Sequence, residues 1–332
     1  MNQDISPEKI MQIGMGFWMS KVVLSAVELG VFTELAEGPL DAKELAKKIN
    51  IQERGALDFF DSLVSAGMLQ RTDGKYSNAP DTNIFLDKAK PSYIGGILEM
   101  ANIRLYPSWG KLTVALRTGE SQDGTKGFHE LYEDPERVKL FAKAMTGVSL
   151  GANKVISEKF PWKKYKTFID IGTAEGGLPV QLALAHPHLT GIGLDLPSVK
   201  PFFDKYVASF NLSSRIKFHS CDIFKEDIPS ADVVILGHML HGMNLEKKKA
   251  LLKKVYDILP KGGSIIVFEA LIDDERRKNT FGLLMSLNML VETEGGFDYT
   301  CAQCIEWLKE TGFTGMEIIP LVGPNSIAIG IK

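Results

Sequence analysis

Cysteine is scarce: Cys221, Cys301 and Cys304 are the whole complement of a 332-residue chain. So few, and an odd number, build no disulfide framework, and a reducing cytoplasm is the expected setting. An excess of one charge is lacking too, with 38 Lys and Arg against 41 Asp and Glu and a net charge of −3. That leaves no general basic field for nucleic acid or anionic lipid, and neither partner is expected. No uninterrupted apolar run reaches the roughly 18 residues that span a bilayer. The opening MNQDISPEKI leads into no export-signal core with a cleavage site, so no export is expected.

What is present suits one or two packed domains: 45% of residues are hydrophobic and 24% charged, near the balance of soluble globular chains. Met15 to Leu29 (MGFWMSKVVLSAVEL) has only four polar side chains, Ser20, Lys21, Ser25 and Glu28. A helix there is apolar nearly all round and wants cover on several sides, including from a second subunit. DAKELAKKIN, QERGALDFFDSLVSAGML and QRTDGKYSNAP then predict two amphipathic helices and a hairpin turning at Asp73-Gly74, the order of a winged helix-turn-helix. A recognition helix must meet phosphates, yet Gln52 to Gln70 carries Arg54 against Glu53, Asp58 and Asp61. Packing or dimerisation is therefore favoured over DNA binding. From 96 to 160 the pattern is helical, with Tyr106, Trp109, Phe128, Phe141 and Met145 on aromatic and Met-rich faces that a core also explains.

Near residue 166 the pattern changes to short apolar runs between helical stretches: KTFIDIG, TGIGLDLP, IKFHSCDIF, ADVVILGHML and GGSIIVFEALI. Such alternation predicts a parallel sheet covered on both faces, with a ligand at the carboxyl ends of its strands. The first strand enters a turn with the spacing Gly172-x-Ala174-x-x-Gly177, where alanine replaces the glycine that admits a pyrophosphate, and Glu175 lies in the loop. A carboxylate repels pyrophosphate but tolerates an amine and a sulfonium, so the loop fits S-adenosylmethionine better than NAD. Asp195, closing the second strand, has the spacing of an acidic residue that accepts two ribose hydroxyls. Asp222 after the third strand is a candidate acceptor for an adenine amino group, with Ile223 and Phe224 flanking the ring. A strand-ending Asp is also a common helix cap.

The fourth strand is expected to end at His241 and the fifth at Glu269. Neighbouring parallel strands are about 4.8 Å apart, so the two groups come within reach, and a carboxylate orients the imidazole as a base. His238 reads as a structural histidine or a pocket residue. Two histidines without an obvious third ligand give no metal expectation. Cys301-x-x-Cys304 opens an amphipathic helix and reads as packing, and the runs EKKK (246 to 249) and DDERRK (273 to 278) read as solvated surface.

These residues resemble the S-adenosylmethionine-dependent O-methyltransferases of the caffeic acid and acetylserotonin type. DIGTAEG stands for the family's DVGGGTG, GIGLDLP for its ribose strand, CDIF for GDMF, MLHGM for VLHDW and GGFDYT for GGxERT. The resemblance implies a winged-helix dimerisation domain (1–95), a helical linker lining the acceptor pocket (96–160) and a Rossmann-like α/β catalytic domain (161–332), assembled as a homodimer. It implies cofactor contacts at Asp170, Gly172, Gly176, Asp195, Leu196, Asp222, Ile223, Phe224 and Gly237. His241 would be the base, oriented by Glu269 and Asp298. Trp109, Phe141, Met145, His238, Met285 and Met289 would line the pocket of a small-molecule acceptor. Gly242 and Met243 replace the usual Asp and Trp, which leaves open oxygen, nitrogen, carbon or sulfur as the acceptor atom. A winged-helix ligand sensor is the reading from another class.

Overall fold

A computed structural model describes residues 5–122 and 132–332, so Phe128 lies outside the described residues. The chain divides into two compact units, Met1–Tyr106 and Pro107–Lys332, and the division falls inside the stretch expected to form a linker.

In the first unit the helices Glu8–Gly14 and Gly16–Leu29 follow one another directly. Together they make a 22-residue helical stretch, Glu8–Leu29, whose most apolar 18-residue window has a mean hydropathy of 1.4, long and apolar enough by length and composition to cross a membrane. Gln12, Ser20, Lys21 and Ser25 interrupt it, so it is not an uninterrupted apolar run. Only 17% of the apolar window is buried. Ile10, Ile13, Phe17 and Trp18 are exposed, whereas Leu24, Ala26 and Val27 pack inward.

The helix Ala42–Lys48 starts at a capping box, in which Asp41 accepts from the Lys43 and Glu44 N–H groups and Glu44 accepts from the Asp41 N–H. The helix Ala56–Ser65 and the strands β1 (Leu40–Asp41), β2 (Leu69–Thr72) and β3 (Lys75–Asn78) complete the winged-helix order, with strand order β1-β3-β2. Asp73 and Gly74 both have positive φ, 50° and 77°, as a two-residue hairpin turn of the I′ type requires. Leu45, Phe60, Leu63 and Tyr76 close the core beneath them.

The second unit is built on a seven-stranded sheet of order β6-β5-β4-β7-β8-β10-β9. Its strands are β4 (Thr167–Ile171), β5 (Thr190–Asp195), β6 (Ile216–Ser220), β7 (Val233–Gly237), β8 (Ser264–Glu269), β9 (Thr314–Pro320) and β10 (Ser326–Ile331). The five runs read from sequence pair in parallel, and β10 and β9 extend the edge beyond β8 in antiparallel pairing. Along β7, Val234 and Leu236 enter one core while Val233 and Ile235 enter the other. Both faces are thus covered, which is why these strands are apolar without alternation. The chain leaves β4 toward β5 and β6 and returns to its other side as β7. That reversal opens a crevice at the strand carboxyl ends.

Candidate active site

The β4 end supplies Asp170, which is buried and whose pKa burial pushes up to about 7. Gly172 and Gly176 follow with φ of 75° and 86°, which L side chains rarely adopt. A Cβ on Gly172 would lie 2.3 Å from Met239 Sδ, so a side chain there would also require Met239 to shift. Asp195 closes β5, and its Oδ2 accepts from the Ala174 N–H (3.0 Å) and its Oδ1 from the Leu196 N–H (2.8 Å). Burial raises its pKa to about 6 against those two hydrogen bonds.

S-adenosylmethionine fits this set. Each Asp195 oxygen keeps a lone pair for one of two adjacent hydroxyls, and the buried carboxylates suit a cationic ligand. Glu175 in the same loop is also shifted up, chiefly by burial, with Thr146, Lys143 and Lys205 acting against it. The predicted adenine-side group follows the end of β6. Asp222 pairs with Lys225 and accepts from the Phe224 N–H (3.1 Å), Ile223 packs in the core, and Phe224 is exposed with Lys247 over its ring.

β7 ends at Gly237, four residues before the expected end at His241. His238 takes a φ of 50° and turns the chain out of the sheet, its N–H donating to Phe268 O, and His241 sits in the 3₁₀ turn Leu240–Gly242. The reason is tertiary: β7 pairs with β8 only as far as Gly237 opposite Phe268. This turn brings both histidines onto one carboxylate, with Glu269 Oε2 3.4 Å from Nδ1 of His238 and 3.4 Å from Nδ1 of His241. Glu269 Oε1 accepts from the His241 N–H (3.2 Å), and Asp298 Oδ1 lies 3.4 Å from His241 Nδ1.

Glu269 is 1% exposed. Burial works against the His241 imidazolium, but Glu269 and Asp298 outweigh it and push its pKa up to about 9. In return the histidines hold Glu269 below its ordinary range in spite of burial, while burial raises Asp298. Glu269 is also the third donor not found in the sequence, since ligand atoms of His238, His241 and Glu269 lie within 4.8 Å of one another. The same separations suit an imidazole held between carboxylates.

Of the pocket candidates, Trp109 donates from Nε1 to Asn288 Oδ1 (2.7 Å), and Asn288 donates to Glu292 (2.6 Å). Met285 and Met289 lie on the same helix as Asn288, Thr280–Glu292, which packs on the His241 turn. Phe141 and Met145 are half-buried on the helix Pro135–Lys159, and Phe141 meets Tyr132 edge-on.

Sequence reasoning missed Lys248. The EKKK run was expected to be solvated, but Lys248 is 0% exposed. The signal was there: Lys248, Leu251, Leu252 and Val255 lie at i, i+3, i+4 and i+7 on the buried stripe of one helix. Cys304 is buried and Cys301 half-buried on the helix Cys301–Thr311.

A buried histidine facing two carboxylates, a glycine turn and a buried aspartate thus gather at the strand carboxyl ends of a Rossmann-like sheet. The sequence matches the O-methyltransferase dimerisation domain over residues 11–88 and the O-methyltransferase domain over residues 109–314. The tetracenomycin polyketide synthesis 8-O-methyl transferase TcmO of Streptomyces glaucescens is 40% identical over 98% of this chain and 97% of its own length. The N,N-dimethyltransferase OxyT of Streptomyces rimosus is 33% identical over 80% of this chain and 78% of its own. Human N-acetylserotonin methyltransferase, solved in complex with SAM, superposes with a TM-score of 0.92 at 27% identity, covering 100% of this chain and 99% of that one. The chain belongs to the O-methyltransferase family. It is an S-adenosylmethionine-dependent methyltransferase acting on a small molecule, and the ligand-sensor reading is not favoured.

Proposed function

We propose that this methyltransferase acts on a hydroxyl of an aromatic polyketide-like molecule, with His241 as general base and Glu269 and Asp298 as its orienting carboxylates. The observation that carries the reading is the pair of 3.4 Å contacts from His241 Nδ1 to Glu269 and Asp298. Two carboxylates on one ring nitrogen make the other more basic and stabilise the imidazolium formed when the hydroxyl proton is taken. Contacts of 3.4 Å are loose for hydrogen bonds and are expected to tighten once ligands fill the site.

S-adenosylmethionine, when bound, supplies an electrophilic methyl group on a sulfonium. Asp195 holds the ribose hydroxyls, Asp170 and the Gly172–Gly176 turn accommodate the amino-acid end, and Leu196, Asp222, Ile223, Phe224 and Gly237 border the adenosine. Trp109, Phe141, Met145, Met285 and Met289 form the apolar lining that keeps water out and grips a flat ring, while His238 adds a polar edge. Aligning acceptor and methyl group in such a pocket accounts for much of the rate. The aromatic acceptor class is supported by TcmO, whose named reaction is on a tetracenomycin polyketide.

The working form is a homodimer, supported by the dimerisation-domain match and by exposed Ile10, Ile13, Phe17 and Trp18 along one helical stretch. His241→Asn tests the base assignment: turnover on a phenolic acceptor should fall about 10²-fold or more while cofactor affinity holds. Wild-type turnover in that variant would remove the base assignment.

A further inference from the structure

Lys248 lies on the helix Leu245–Ile258 with no exposed surface at all. Its Nζ donates to Met243 O (2.7 Å) and to Phe297 O (2.8 Å). The ammonium also sits 3.2 Å from the Phe297 ring centroid, 5.4 Å from that of Tyr299 and 6.0 Å from that of Trp307. Met243 is two residues beyond His241, and Phe297 immediately precedes Asp298. One side chain therefore ties the turn carrying the imidazole to the segment carrying one of its carboxylates.

Resting on the base reading above, we propose that Lys248 is a positioning residue of the methyl-transfer site, holding the His241 turn against Asp298 and setting the charge around the imidazole. The charge count shows why a cation serves there. With Glu269 and Asp298 ionised and His241 neutral, as a base must be, the cluster without Lys248 carries two uncompensated negative charges. With Lys248 it carries one.

Lys248 thus favours the neutral imidazole and opposes the two carboxylates that favour the imidazolium. The ionisable groups facing the pair are Glu269 from β8 and Asp298 and Tyr299 from the segment before the helix Cys301–Thr311, and the two carboxylates are faced in turn by His238 from the turn and Cys304 from that helix. Burial brings the Lys248 ammonium down to about 8, against the pull of Glu269 and Asp298. A purely structural staple needs only the two hydrogen bonds to Met243 O and Phe297 O, which an uncharged amide donor can supply in part.

The test is Lys248→Met in the full chain, folded as judged by thermal melting, with His241 titrated by NMR of ¹³C-histidine-labelled protein and assigned by the signal lost in His241→Asn. The His241 titration should move upward by roughly half a pH unit or more. The acid limb of kcat should move with it, and turnover at pH 7 should fall about threefold or more. A folded Lys248→Met chain whose His241 titration and kcat profile superimpose on the wild type overturns the proposal. If that variant is not recovered folded, Lys248→Gln, which keeps an amide donor without the charge, carries the same two readings. The NMR shift does not depend on His241 acting as the base, so turnover surviving in His241→Asn would sink the base reading and leave the positioning result standing.

Discussion

At the scale of single residues the site is a problem of proton placement. His241 in the ligand-free chain holds its proton up to about pH 9 because two buried carboxylates face it. A base must be neutral, so kcat/KM, which reports the free enzyme, should climb with pH across 7 to 9. A flat profile over that range would contradict the assignment. Asp195 works in the opposite sense, since it must be ionised to accept two hydroxyls and its pKa is raised to about 6 by burial. Affinity for S-adenosylhomocysteine should accordingly weaken as pH falls through 6. Asp195→Ala should weaken it about tenfold or more at neutral pH, the loss of roughly 1.4 kcal/mol or more that removal of a charged hydrogen-bond acceptor brings. Wild-type affinity by calorimetry at both pH values would exclude the ribose role. The types and order of these residues were legible in the chain because each follows a strand-like run. The shared use of Glu269 by two histidines was not, since it depends on where a turn places side chains in space, and although a helical stripe marks Lys248 as buried, nothing local names the carbonyls that its ammonium meets.

At the scale of elements, local chemistry and tertiary pairing agree in most places. Asp73-Gly74 reads as a hairpin turn and forms one, and Asp41 and Glu44 close a capping box that fixes where a helix begins. Thr300, two residues beyond Asp298, and Gln303 form a second box at the start of the helix Cys301–Thr311, which seats Cys304, Trp307 and Leu308 in the core. Thr300→Ala should therefore cost about 1 kcal/mol and lower the melting temperature by roughly 2–4 °C. A melt unchanged by that variant would show that packing alone holds the helix. The end of β7 is where local reading fell short. LGHML continues an apolar run, but pairing with β8 stops at Gly237 and the chain must turn there. A periodicity argument sees the run and not the partner that ends it.

At the scale of the whole molecule the same 332 residues make two units with different uses of apolar surface. The second unit buries its apolar strands between two cores, while the first leaves Ile10, Ile13, Phe17 and Trp18 exposed. If a second copy covers that face, Phe17→Glu combined with Trp18→Glu should convert a dimer to a monomer in sedimentation equilibrium. A double variant sedimenting as the wild type would place the interface elsewhere. The sequence by itself determined the parallel α/β sheet, the winged-helix order and the candidate carboxylates and histidines, because periodicity, turn chemistry and strand-end position are local properties of a chain. Only the tertiary structure decided that the lysine of a charged run meets the backbone beside His241 and Asp298, and that one glutamate meets two imidazoles. Burial and charge pairing are set by neighbours distant in sequence, and no window along the chain contains them.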